Sequence, residues 1–318
     1  MFCLPKLMLS AGLLALVTTG CAATNTAELV APVGGDAADG NHVIEDSDDA
    51  LVLGDISDEP TETIAAFQPL ADYLAAEQGR RHGIVAVAPD METMAAWLAS
   101  GKVDVYFDSP YPATVVGDLS GAQPILRHWK GGNVAYYSVI FTRADSDIQS
   151  VEDLQGGTLA FEVPTSTSGY MLPLGYLVEA GLRLVEIQSG EAQVPADAIG
   201  YVFSESDRNS IQWVLAQRVD AAAVGVPDFR EIPASVRQQL RILAETEALP
   251  RQLVLVSPTL TPTEVEAITA TLLEMDETAT GQETLATFQE TTRFDEFPEG
   301  AEAVLARIRE LHALTQEP

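Results

Sequence analysis

The chain predicts an α/β protein with mainly parallel sheets. Short apolar, β-rich runs alternate with amphipathic helical stretches over most of its length. Hydrophobic residues make up 47% of the 318 positions, enough to build one large or two medium domains. No internal repeat is visible, which argues against a solenoid.

The elements follow in order. Residues 1–20, MFCLPKLMLSAGLLALVTTG, carry one lysine and an apolar run from Leu7 to Val17, the pattern of an export signal. The run is shorter than the roughly 20 apolar residues that span a bilayer. Thr18-Thr19-Gly20-Cys21 resembles a bacterial lipobox, which implies lipidation of Cys21; Thr18 stands where leucine is usual. The alternative is an ordinary secretory signal followed by a chance cysteine. Residues 21–48 are small, polar and acidic, as expected of a flexible tether. The only other cysteine, Cys3, lies in the signal, so the folded part holds no disulfide and depends on its core.

LVLGDI (51–56) reads as the first strand, followed by a helix over about residues 62–78 with Ile64, Phe67, Leu70 and Leu74 on one face. GIVAVA (83–88), METMAAWLASG (91–101) and VDVYFD (103–108) read as strand, helix and strand. NVAYYSVIFTR (133–143) reads as one long strand and TLAFEVP (158–164) as the next. A helix then opens at PTSTSGYMLP (164–173). YVFS (201–204), a helix over about 207–218, DAAAVGV (220–226), RILAET (241–246) and QLVLVSP (252–258) complete the alternation. Thr261, Pro262 and Glu264 form a capping box that starts a helical C-terminal part.

Formal net charge is −30, from 17 basic and 47 acidic residues. Such a chain repels nucleic acid and anionic lipid, which sets aside nucleic-acid binding. The acids are scattered, as solubility alone would explain, and an anionic ligand must be held by local donors and dipoles. Enzyme signatures are lacking: His42, His82, His128 and His312 show no metal-ligand spacing and are expected at the surface. There is no G-x-S-x-G elbow and no phosphate loop of the nucleotide-hydrolase type. No cofactor or metal is implied.

Several segments, in order, resemble the phosphate/phosphite/phosphonate-binding proteins of ABC transporters. They are Pro69-Leu70-Ala71-Asp72-Tyr73-Leu74, Gly101-Lys102-Val103-Asp104-Val105, Tyr136-Tyr137-Ser138, the stretch from Asp145 to Gly156, and Ser166-Thr167-Ser168-Gly169. The resemblance runs from about Leu51 to Val226. It implies a two-lobed type II periplasmic binding protein fold with ligand in the interlobe cleft. One lobe would hold residues 49–140 plus 250–318, the other the inserted residues 141–249, and the lobes would close on ligand. It further implies a monomeric, lipid-anchored extracytoplasmic protein that passes a small oxyanion to an ABC permease. The alternatives are a sensing lipoprotein that partners a membrane receptor kinase, and an enzyme on the same fold.

The resemblance makes Ser166, Thr167 and Ser168 donors to the oxyanion at a helix N-terminus, with Gly169 admitting close approach. In the other reading, Thr165 or Ser166 merely caps the helix. Ser109 and Tyr111, in the DSPYP stretch that replaces a "G-P-x-x-Y" pattern, are expected beside the ligand, or else form a proline-braced turn. Of Tyr136 and Tyr137, adjacent on a strand, one faces in. Asp207 stands where relatives often carry histidine. It either complements the helix dipole or receives a cationic or hydroxyl group. Arg208 either enters the cleft or stays exposed.

Overall fold

The computed structural model describes residues 49–188 and 193–316, so the signal, Cys21, the tether and His42 lie outside the described residues. The chain starts with β1 (Ala50–Ile56), α1 (Pro60–Glu77), β2 (His82–Ala88), α2 (Met91–Ala99), β3 (Val105–Asp108), α3 (Pro110–Ser120) and β4 (Gln123–His128). Two short strands, β5 (Ala135–Tyr136) and β6 (Ser138–Arg143), lead into β7 (Thr158–Phe161). A π-helical turn, Thr167–Met171, then runs into α4 (Leu172–Glu179). Next come β8 (Arg183–Glu186), β9 (Ala198–Phe203), α5 (Asp207–Leu215), β10 (Ala221–Gly225), α6 (Val226–Glu231), α7 (Ala234–Arg237) and β11 (Leu240–Glu245). The chain ends with β12 (Leu249–Pro250), β13 (Gln252–Val256), α8 (Pro262–Glu274), α9 (Ala279–Thr287), β14 (Phe294–Asp295) and α10 (Glu302–Gln316).

These strands form two six-stranded sheets, ordered β14-β4-β13-β3-β1-β2 and β11-β6-β10-β7-β9-β8. Each sheet with its helices is one lobe, and the fold is the two-lobed type II periplasmic binding protein fold. The sheets are mixed, which corrects the mainly parallel expectation. β1 runs parallel to β2 and β3, and β7 to β9 and β10. β13 is antiparallel to β3 and β4, and β6 to β10 and β11. A parallel ladder needs a long crossover on the same sheet. β6 and β13 instead enter their sheets from the ribbon between the lobes, where β5 pairs antiparallel with β12. The single strand expected over 133–143 is accordingly broken at Tyr137 between β5 and β6. Strand β4 and helix α3, for which no pattern was read, complete the first lobe.

The core follows from two-sided burial of the strands. In β1, Leu51 and Leu53 pack with Phe67, Leu70 and Leu74 of α1, while Ala50 and Val52 face Met94 and Leu98 of α2. His128 corrects the surface expectation for the histidines. It is fully buried, stacked on Phe288 at 5.0 Å, with Nε2 2.6 Å from Thr291 Oγ1. Burial, reinforced by Lys130 and Arg251, holds its imidazole well below the usual range and therefore neutral. The capping box at Thr261 and Glu264 forms as expected.

Helix α10 touches both lobes. Its Ile308 and Leu311 fill a cluster with Tyr111, Met171, Leu172 and Leu249. Arg309 pairs with Asp118 of α3, and Arg307 with Glu179 of α4.

Helix α1 meets β2 at Gly83, whose amide and carbonyl bond the side chains of Asp72 and Gln68. A Cβ on Gly83 would lie 2.1 Å from the carbonyl carbon of Ala71, so the helix would have to move away. Gly83→Ala is expected to destabilise the protein by about 2 kcal/mol or more, as overpacking against rigid backbone does. Denaturant unfolding measures this, and an unchanged midpoint would refute the close-approach account.

Candidate functional site

The turn after β7 opens helix α4, and its residues divide several tasks. Ser166 Oγ accepts from the Gly169 amide at 2.8 Å, so Ser166 is the cap. Thr167 is buried, and its Oγ1 accepts from the Tyr111 amide and donates to Ser109 Oγ, both at 2.9 Å. These bonds join the two lobes directly. Ser168 lies beside the Tyr136 hydroxyl, and its Oγ is 2.9 Å from where a Cβ on Gly225 would stand. Gly169 is needed for a different reason from the one expected. A Cβ there would meet Glu162 Oε2 at 2.6 Å, so its open face is taken by a carboxylate of the same lobe. The amides of Thr167 and Ser168, first in the helix, have no intrahelical acceptor.

Lobe 1 contributes the end of β3. Asp108 Oδ1 accepts from Ser109 N at 2.6 Å and from Ser109 Oγ at 3.2 Å, and Oδ2 from the Tyr106 hydroxyl at 2.6 Å. Asp55, at the end of β1, is pushed well above the usual carboxyl range by burial and then by Asp108. Lys130 follows β4. Burial and Arg251 lower its ammonium, against the pull of Asp55, Asp108 and Asp228. The Arg251 guanidinium lies 4.5 Å from the centroid of the buried Tyr136 ring.

Lobe 2 contributes acids. Glu162 and Asp207 share a hydrogen bond, and Asp228 is close enough to act on both. Asp207 occupies the first turn of α5, which Ser206 caps through the Asn209 amide. Burial, with Glu162 and Asp228 beside it, pushes its carboxyl up to about 8, and Oδ1 is buried without a hydrogen-bond partner. It thus combines the helix-start position with membership of an acidic cluster.

Among the residues singled out in the sequence, Ser109, Thr167, Ser168 and Tyr136 converge, and Asp207 joins them through Glu162. The Tyr111 ring does not face this group. It packs with Ile308 and Leu311, edge-on to His312 at 5.5 Å, and only its amide reaches Thr167. Tyr137 packs in the core of lobe 2, and Arg208 is exposed. Sequence reading missed Asp55, Asp108, Glu162, Asp228, Lys130 and Arg251. The four acids lie at or just beyond the carboxyl ends of β1, β3, β7 and β10, where ligands collect in open α/β sheets, and that placement was the available signal. The cleft therefore places donors beside Lys130 and Arg251, and an acidic wall whose Asp228 and Glu162 lie within reach of the same two cations.

Asp207 ties stability to pH. Its native carboxyl keeps a proton up to about 8 that the unfolded chain releases near 3.8, so stability falls as pH rises through this window. Asp207→Asn removes the loss: its gain in Tm over the parent should be larger at about pH 9 than at about pH 4. A pH-independent difference in thermal unfolding would refute it.

Residues 56–299 match the family described as "ABC transporter, phosphonate, periplasmic substrate-binding protein". The XAC2383 protein of Xanthomonas citri, solved with chloride, is 28% identical with a TM-score of 0.78, over 83% of this chain and 98% of that one. Its structure with ATP gives 26% identity and the same TM-score, over 84% of this chain and all of that one. PhnD1 of Prochlorococcus marinus, solved with methylphosphonate, shares the fold at 14% identity and a TM-score of 0.64, over 85% and 99% of the two chains. The "Phosphate-import protein PhnD" of Mycolicibacterium smegmatis is 32% identical over 139 residues; the match spans 42% of this chain and only 41% of that relative. The chain belongs to the family of periplasmic substrate-binding proteins of phosphonate ABC transporters.

Proposed function

We propose that this protein is a lipid-anchored, monomeric extracytoplasmic receptor for a small phosphorus oxyanion, phosphonate, phosphite or phosphate, which it delivers to an ABC permease. One observation carries the reading. The start of α4 presents Ser168 and two helix-terminal amides beside Tyr136, with Arg251 and Lys130 adjoining. The anchor rests on Cys21 and the sequence before it. The phosphorus chemistry is supported by the name of the Mycolicibacterium smegmatis relative and by the ATP held by the Xanthomonas citri protein. The acidic wall of Glu162, Asp207 and Asp228 favours a ligand whose organic part carries a protonated amine, because such a cation relieves the crowding that raises these carboxyls.

Titrating the chain with phosphate, phosphite, methylphosphonate, 2-aminoethylphosphonate and sulfate, followed through its three tryptophans, tests the assignment. At least one phosphorus compound should bind more tightly than about 1 mM, with 2-aminoethylphosphonate ahead of methylphosphonate. Binding of none sinks the reading. Ser168→Ala should weaken the best ligand by about 1–3 kcal/mol, the cost of losing a hydrogen bond to a charged group. Unchanged affinity would place the ligand elsewhere.

A further inference from the structure

Helix α10 turns two opposite sides to the two lobes. Leu305, Arg309 and His312, spaced i, i+4 and i+7, share one side of the helix. They meet lobe 1: Leu305 packs with Leu253 and Val116, Arg309 binds Asp118 of α3 at 2.6 Å, and His312 lies edge-on to Tyr111. Arg307, Leu311 and Leu314 repeat that spacing about half a turn away. They meet α4 of lobe 2 in antiparallel order: Arg307 on Glu179, Leu311 on Gly175, and Leu314 beside Leu174 and Tyr170. Lobe 1 also holds the chain that leads into α10, because β14 joins the first sheet through β4 and Phe297 packs on the core of that lobe. Lobe 2 holds the helix through the side-chain contacts just named. Their centre is a shape fit, in which a Cβ on Gly175 would stand 2.6 Å from Leu311 Cδ2.

We propose that α10 is a strap that travels with lobe 1, so that opening of the cleft lifts Leu311 from its seat on Gly175 of lobe 2, and the strength of that seat sets how often the cleft opens. Leu311 is 1% exposed, so its apolar contact carries most of the hold, while a part-exposed pair such as Arg307 with Glu179 adds little. The seat lies about two turns along α4 from Ser168. It therefore acts on the balance between open and closed forms without touching a ligand. A ligand that binds the closed form gains in apparent affinity whatever the seat contributes to closure. Such a strap works in the same way for any ligand of the cleft.

The Tyr111 amide reports opening directly. It follows Pro110 at the start of α3, where a helix has no acceptors of its own, and its partner is Thr167 Oγ1 across the cleft. Its hydrogen exchange, followed by NMR on the full chain without added ligand, requires the lobes to part. Leu311→Ala should speed this exchange about tenfold or more, and by a larger factor than it speeds the amides of β1 and β9, which open only when a lobe unfolds. A second variant separates release of the strap from local loosening. A Cβ on Gly175 would stand 3.3 Å from Leu311 Cβ, near the spacing of bonded cysteines. In Gly175→Cys/Leu311→Cys, with Cys3→Ser and Cys21→Ser, oxidation ties α10 to α4 and should slow Tyr111 exchange about tenfold or more relative to the reduced form. Equal rates in the two forms would mean that α10 moves with lobe 2, and they overturn the inference. Failure of the pair to oxidise overturns it too, as does a Tyr111 rate that Leu311→Ala leaves unchanged or raises only as much as the sheet amides. Because no ligand enters the measurement, none of these outcomes bears on the phosphorus reading.

Discussion

The bond from the Tyr111 amide to Thr167 Oγ1 is the point on which the two halves of the molecule register. It sits at the start of α3 on one side and of α4 on the other, so it fixes the two helices that carry the facing hydroxyls. Helix α10 holds the same two helices farther along, with Arg309 on Asp118 and Arg307 on Glu179. Half-exposed ion pairs of this kind contribute little singly. The larger hold is apolar: Leu311 lies so close to Gly175 that a Cβ there would stand 2.6 Å from its Cδ2, and Ile308 is fully buried among residues of both lobes. Separation of the lobes must draw Tyr111 off Thr167 and slide α4 or α3 along α10.

A surplus of negative charge constrains the cleft. The chain as a whole repels anions, and the site adds Asp55, Asp108, Glu162, Asp207 and Asp228 to that field. Two features keep the site workable. Burial and mutual repulsion raise the carboxyls of Asp55 and Asp207, which lessens the negative charge they bring. Lys130 and Arg251 then supply local positive charge where the helix start supplies amides. The sequence argument turned to local donors and dipoles because it weighed the mean charge and not the acids gathered at the strand ends.

Much of the fold was legible because local signals agreed with tertiary demands. The strands read at 51–56 and 83–88 and the capping box at Thr261 appear, and the strand read over 252–258 forms over Gln252–Val256. The failures share one cause, which is that long-range partners decided the outcome. Strand direction in β6 and β13 depends on how the chain crosses between lobes, and no window of residues shows that. The break at Tyr137 comes from β5 leaving to pair with β12. His128 is buried because Phe288 and Thr291, more than 150 positions away in the chain, close over it. In the site, the motifs drew attention to hydroxyls and to Asp207, while Asp55, Glu162 and Asp228 belong to no motif and are joined only by the topology.

The stretch STSG shows what a motif does and does not specify. As a string it suggests three donors to one anion and a glycine that admits it closely. In the folded chain Ser166 is spent on the Gly169 amide, Thr167 on the junction with lobe 1, and Gly169 on making room for Glu162. Ser168 and the unpaired amides are what remains for a ligand. Thr167 is the hinge of this division, because its hydroxyl has a donor fixed on one side and an acceptor fixed on the other. The same hydroxyl thus ties Tyr111 and Ser109 of lobe 1 to the turn that opens α4. A motif residue in such a cleft is assigned its task by partners outside the motif, here the Tyr111 amide and the Ser109 hydroxyl of the opposite lobe.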